Sequence, residues 1–152
     1  MKPSDHPHRI VLPWPRGSLL KRVQHKPPRL VAGKDDVYLA LVRQCPCLDC
    51  AQDPAGEAAH LRLSSGTHGK KGGMGKKPDD RWALPVCRAH HERQHRIGER
   101  QFWYELGINP FLAAERLYAK RGDLVAMRAV VYCTIAERES RQQILNKGED
   151  RG

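Results

Sequence analysis

The chain has no apolar run long enough to cross a bilayer. Its most hydrophobic stretch, Leu124 to Ala136, is interrupted by Arg128 and stays short of the ~18 residues that a spanning helix needs. The amino-terminal residues carry charge but no continuous apolar segment of the kind found in secretory signals. Acidic residues are scarce as well: 17 Asp plus Glu face 27 Lys plus Arg, leaving a formal charge of +10 and a pI near 9.7. That surplus favours polyanionic partners, nucleic acid above all. Neither G-x-x-x-x-G-K-[ST] nor G-x-G-x-x-G occurs, so a nucleotide-cradling loop is not expected, and there is no internal repeat. Cysteines number only five, an odd count, and three of them fall within residues 45–50, too crowded for an ordinary disulfide framework. Together these absences lead to the expectation of a soluble, cytoplasmic, single-domain protein without a membrane partner, whose cysteines bind metal.

What is present is concentrated in residues 87–95, Cys-Arg-Ala-His-His-Glu-Arg-Gln-His, which place one thiol and three imidazoles in about two and a half helical turns. Cys87 and His90 form a C-x-x-H half of a tetrahedral zinc site, and Cys47-Leu48-Asp49-Cys50 supplies a C-x-x-C half. The register Cys47 with Cys50 is preferred because two intervening residues make the tight knuckle that tetrahedral zinc accepts, which leaves Cys45 as a spare or an alternate ligand. His91 and His95 lie four apart, so on a helix both imidazoles project from one face and can hold a second, separate ion.

The flanking segments read as scaffold. Residues 1–34 hold six of the eleven prolines, and residues 1–44 carry nine Lys or Arg against three Asp, so this stretch reads as a basic, poorly ordered arm able to track a phosphate backbone. Asp35 or Asp36 caps a short helix through Val42. Ala58 to Leu63 reads as a strand with His60 and Arg62 on one face, and Trp82 to Val86 as a second strand leading into a helix from about Ala89. Between the strands, Gly66 to Lys77 holds five glycines and four lysines (Lys70, Lys71, Lys76, Lys77), which with Arg62 are the expected phosphate contacts. Phe102, Trp103 and Leu106 recur at helical spacing and stop at Gly107. Asn109-Pro110 opens a helix to about Arg121, and Asp123 caps another with the stripe Leu124, Met127, Val130, Val131 and Ile135, in which Cys133 is expected as a buried thiol.

Residues 47–95 resemble the HNH, or His-Me finger, nucleases, and most closely the phage-associated branch that includes the recombination-enhancement nuclease Ref. The resemblance is carried by Cys47 and Cys50, Ala59-His60, Gly73 to Asp80, and Pro85 to His91 with His95. It implies an α+β fold, a small ββα-metal finger with a structural zinc, as a nuclease domain over 35–108, with helices over 109–152 packed on it. It implies a metal-dependent DNA endonuclease, phage or prophage related, with His60 as general base, His91 and His95 on a catalytic Mg2+ or other divalent ion, and Asp80 as third ligand or as the group that orients His60. DNA, and phage or host recombination or replication proteins, are the partners it implies. Two positions depart from the family: Ala59 stands where many relatives have a ligating Asp, and an aspartate, Asp80 or else Asp79, replaces the middle Asn. Imidazole suits the role of base because its pKa of ~6.5 leaves a neutral acceptor at cellular pH. The competing readings are a non-catalytic zinc-binding nucleic-acid module and a structural zinc domain, neither of which requires His60, Asp80, His91 and His95.

Overall fold

The computed structural model describes residues 33–72 and 78–149, so the expectations for the arm as far as residue 32, and for Lys76 and Lys77, lie outside the described residues. Among these residues the fold is α+β, with five helices and one two-stranded antiparallel sheet.

Helix α1 (Asp36–Arg43) starts where Asp35 Oδ1 accepts the Tyr38 N–H at 2.9 Å, satisfying one of the otherwise orphaned amides of the first turn. It buries Tyr38, Leu39 and Val42 against the sheet. Strands β1 (Gly56–His60) and β2 (Ala83–Cys87) pair with Gly56 opposite Cys87 and His60 opposite Ala83. Strand β1 therefore begins two residues earlier and ends three earlier than expected. Its end has a physical cause: Leu61 still donates to the Trp82 carbonyl at 2.9 Å, but the next amide, Arg62, turns away to the Glu99 carboxylate at 3.0 and 3.1 Å. Strand β2 is buried throughout, and Pro85 costs the ladder little because its backbone groups face away from β1, where its carbonyl accepts from Leu48.

Helix α2 (Arg88–Ile97) follows β2 without a loop and stops at Gly98. Gln94 is its one buried residue, so the helix is polar nearly all round and is held by what its side chains bind rather than by an apolar stripe. Helix α3 (Glu99–Leu106) buries Phe102, Trp103 and Leu106 and is closed by Gly107 at φ 68°, a left-handed cap that glycine adopts without a Cβ penalty. Helix α4 (Pro110–Tyr118) opens with Asn109 Oδ1 accepting from Phe111 and Leu112 at 3.1 and 3.2 Å. It ends three residues before the expected Arg121, because Lys120 and Arg121 donate three residues back and tighten into turns.

Helix α5 (Leu124–Glu149) begins where Asp123 Oδ1 accepts the Ala126 amide at 3.0 Å. Met127, Val131 and Ile135 join a core cluster that also contains residues of α1, both strands, α3 and α4. Cys133 is exposed, contrary to expectation. It lies two residues from both Val131 and Ile135, about 200° around the helix, and so falls on the opposite side from that stripe. The polar segment from Glu137 continues the helix beyond the core. No described helix is long and apolar enough to cross a membrane.

Candidate metal centre and catalytic pocket

The knuckle between α1 and β1 comes to lie beside the start of α2. There Cys47, Cys50, Cys87 and His90 each bring one donor atom within 4.8 Å of the others. The Cys87 and Cys47 sulfurs stand 3.1 and 3.6 Å from His90 Nδ1, and the Cys50 and Cys87 sulfurs are 3.9 Å apart. Three thiols and one imidazole at this spacing could hold a metal ion such as zinc. The other nitrogen of His90, Nε2, lies 3.3 Å from Asp49 Oδ2, a carboxylate placed to fix the ring and leave Nδ1 for the ion. Burial pushes the Cys47 thiol up to about 11, against backbone hydrogen bonds at Cys50, Cys87 and Asp49 that favour the thiolate. Cys45 stands outside this cluster: it is buried, and its thiol points to the Leu41 carbonyl at 3.4 Å.

The knuckle is braced from two sides. The Leu48 N–H donates to the Pro85 carbonyl of β2 at 3.1 Å. From α5, Arg138 donates to the Leu48 and Asp49 carbonyls at 3.0 and 3.1 Å, while Arg128 reaches the Gln44 carbonyl at 2.8 Å and the Asp53 carboxylate.

A second group of side chains converges on a cavity of about 320 Å³ between β1 and α2, lined in part by His60, Arg62, His91, His95 and Glu99. The β1–β2 register sets His60 at the end of its strand, opposite Ala83, and the 3-10 turn Asp80–Trp82 just before β2 brings Asp80 to it. His60 Nε2 lies 2.8 Å from Asp80 Oδ1. Asp80 is itself buried, and its Oδ2 accepts the Asp35 N–H at 2.7 Å. Its turn is anchored by the Asp80 N–H, which donates to the Gly33 carbonyl at 2.9 Å. Gly33 sits at φ 85°, where an added Cβ would fall 2.4 Å from Asp79 Oδ1. Asp80 thus lies against the ring of His60, whereas Asp79 faces Gly33.

On the opposite wall, the imidazoles of His91 and His95 are 4.7 Å apart, centre to centre, one helical turn from each other. His91 Nδ1 lies 2.7 Å from Glu57 Oε2, so in the neutral ring Nδ1–H donates to the carboxylate and Nε2 carries the lone pair. Glu57 carries no motif that would single it out in the sequence, and its contact spans 34 positions. Asp49, by contrast, lies inside the C-x-x-C. Glu99 shares the cavity while accepting the Arg62 amide, and its pKa is raised by burial.

The expected phosphate contacts divide. Arg62 and Lys71 are exposed, and Arg62 lines the cavity. Lys70 does not fit that role. Its Nζ donates to the Leu63 carbonyl at 2.6 Å, the residue is 6% exposed, and burial lowers its pKa. The Ser65–Lys70 bridge folds this stem of the glycine-rich loop back on itself and draws the side chain inward.

A family model described as "Protein of unknown function (DUF968)" matches residues 22–120, more than half of the chain. The chain belongs to the DUF968 family. The matched region runs from upstream of α1 through α4 and so includes both side-chain clusters, whereas the whole of α5 lies beyond it. No curated protein and no solved structure matches this DUF968 chain.

Proposed function

We propose that this protein is a metal-dependent DNA endonuclease of the HNH type, in which His60 activates the attacking water. The observation that carries this reading is the His60–Asp80 pair at 2.8 Å facing the His91–His95 pair across one cavity. A carboxylate can only accept, so the His60 Nε2–H donates to Asp80 Oδ1 and the ring presents a lone pair at Nδ1. Nδ1 then removes a proton from water as the water attacks phosphorus. Arg62 neutralises the phosphate at the mouth of the cavity, and Glu99 holds the backbone of Arg62 in place. His91, oriented by Glu57, and His95 would hold a divalent cation, magnesium or another, that offsets the charge developing on the phosphoryl and leaving oxygens. Zinc bound by Cys47, Cys50, Cys87 and His90 has a structural role in this reading: it clamps the knuckle to the β2–α2 junction from which both imidazole ligands project.

The alternative, a zinc module that binds nucleic acid without cutting it, does not require the convergence of His60, His91 and His95 on one cavity. The test is plasmid nicking by purified protein under added Mg2+, Mn2+, Zn2+ or Ni2+. Cleavage that requires the added ion and His60 supports the proposal, and an intact plasmid together with an intact single strand under every ion refutes it.

A further inference from the structure

A second hollow lies on the other side of the Arg62–Glu99 contact. It holds about 250 Å³ and is lined by Leu63, Ser64, Arg100, Trp103, Tyr104 and Phe111, among others. The two hollows share a wall: Arg62 and Glu99 line the catalytic cavity, and the residues that directly follow them, Leu63 and Arg100, line this one. Successive Cα atoms are about 3.8 Å apart, so the hollow opens within one nucleotide's reach of a phosphate held at Arg62.

Its chemistry is that of a base-stacking site. Tyr104 is 81% exposed, the most exposed of the large hydrophobic residues among those described, although its neighbours Phe102 and Trp103 are both buried. An aromatic ring left in water beside a cation, Arg100, and an apolar floor is poorly used as packing and well suited to a π-face. Trp103 is 2% exposed, and its indole N–H has no acceptor among the described residues, a buried donor of the kind that a heterocycle's acceptor atoms satisfy. The volume admits one planar base.

We infer that this hollow receives an unpaired nucleobase next to the scissile phosphate, with Tyr104 as the stacking platform, so that the preferred substrate is single-stranded, gapped or frayed DNA. The inference rests on the nuclease reading for the position of the phosphate but not for the stacking itself. A base still paired in a duplex must first be unstacked to enter, which is the source of the preference.

The test is equilibrium binding of a fluorescently labelled DNA strand, and of its duplex, to the zinc-loaded full chain and to Tyr104→Ala and Tyr104→Phe, without added divalent ion. The strand should bind wild type more tightly than the duplex. Tyr104→Ala should lose at least about 5-fold on the strand and less than 2-fold on the duplex, with Tyr104→Phe restoring the difference. Tyr104 is solvent-exposed, so the variants should keep the wild-type melting temperature. Irradiating a 5-iodouracil-substituted strand should crosslink the peptide that contains Trp103 and Tyr104. Equal losses on strand and duplex, no loss on either, or crosslinks confined to other peptides overturn the inference. Cleavage read in parallel separates the two ideas: Tyr104-dependent strand binding without cleavage under any metal overturns the nuclease and keeps the base site, whereas cutting indifferent to Tyr104 does the reverse.

Discussion

Glu57 and His91 meet across the junction of β1 and α2, with the carboxylate 2.7 Å from Nδ1 of the ring. A carboxylate in this position fixes both the tautomer and the orientation of a ligating imidazole, and losing such a partner weakens metal binding by ~10- to 100-fold. Glu57→Gln should therefore weaken Mn2+ or Co2+ binding by about 10-fold, measured by titration calorimetry on zinc-loaded protein. Zinc content and melting temperature should not change. An unaltered affinity would show that His91 needs no such support, or that the ion binds elsewhere.

The Cys3His cluster should carry much of the stability. A two-stranded sheet with a polar helix has little apolar surface to bury, and folding in such units is tied to metal binding. Cys50→Ser or Cys87→Ser should abolish the cooperative thermal transition, and elemental analysis of the wild type should find about one zinc per chain, as expected for one such site. Cys45→Ser, outside the cluster, should retain both the zinc and the transition. A folded, zinc-free wild type would end the idea.

Which parts of this were legible in the sequence follows from how local the causes are. Helix starts were readable because their causes sit within three residues: Asp35, Asn109 and Asp123 each accept from amides two or three positions on. The four residues of the Cys/His cluster were readable for a similar reason, since each half of the site is a short motif. The partners of the cavity residues were not. Glu57 and Glu99 reach their partners over 34 and 37 positions, and no spacing rule connects them. The burial of Lys70 likewise depends on a local fold-back that a glycine- and lysine-rich composition conceals. Cys133 is different: the helical period already put it off the Val131–Ile135 face, and its apolar neighbours disguised that.

Nucleic-acid affinity should be mostly electrostatic and should not depend on every lysine. Arg62→Ala and Lys71→Ala should each lower affinity across sequences and reduce the slope of log affinity against log salt by ~1. Lys70→Met should leave affinity and slope unchanged, because its ammonium is engaged with the Leu63 carbonyl. Its stability effect has a defined sign. The folded state depresses the lysine's pKa, so the protonated form is penalised at neutral pH and the penalty fades only as pH rises through the folded pKa toward the unfolded value. Deleting residues 1–30, which carry seven of the Lys and Arg residues against one Asp, should flatten the salt dependence further. An unchanged slope would mean that the segment makes no phosphate contacts.

His60 separates cutting from mere binding. If its Nδ1 takes the proton from water, His60→Ala should lose about 100-fold or more in cleavage rate, the usual contribution of a positioned general base. DNA affinity should stay at the wild-type value, since His60 lies at the end of its strand and outside the Cys3His cluster, while the melting temperature should fall somewhat because the buried Asp80 loses a hydrogen-bond partner. Asp80→Asn tests the pair rather than the residue. An amide can donate as well as accept, so the ring loses its enforced tautomer and the rate should fall in the same direction, although the side chain keeps its shape. Because the two act as one unit, His60→Ala combined with Asp80→Asn should be little slower than His60→Ala alone. His91→Ala and His95→Ala should differ in kind: their losses should be partly recovered by raising the concentration of divalent ion, which cannot rescue His60→Ala. The deciding measurement is the cleavage rate of each variant across a metal titration, with DNA affinity recorded alongside. Should wild type and His60→Ala cut equally well at saturating metal, the base is some other group.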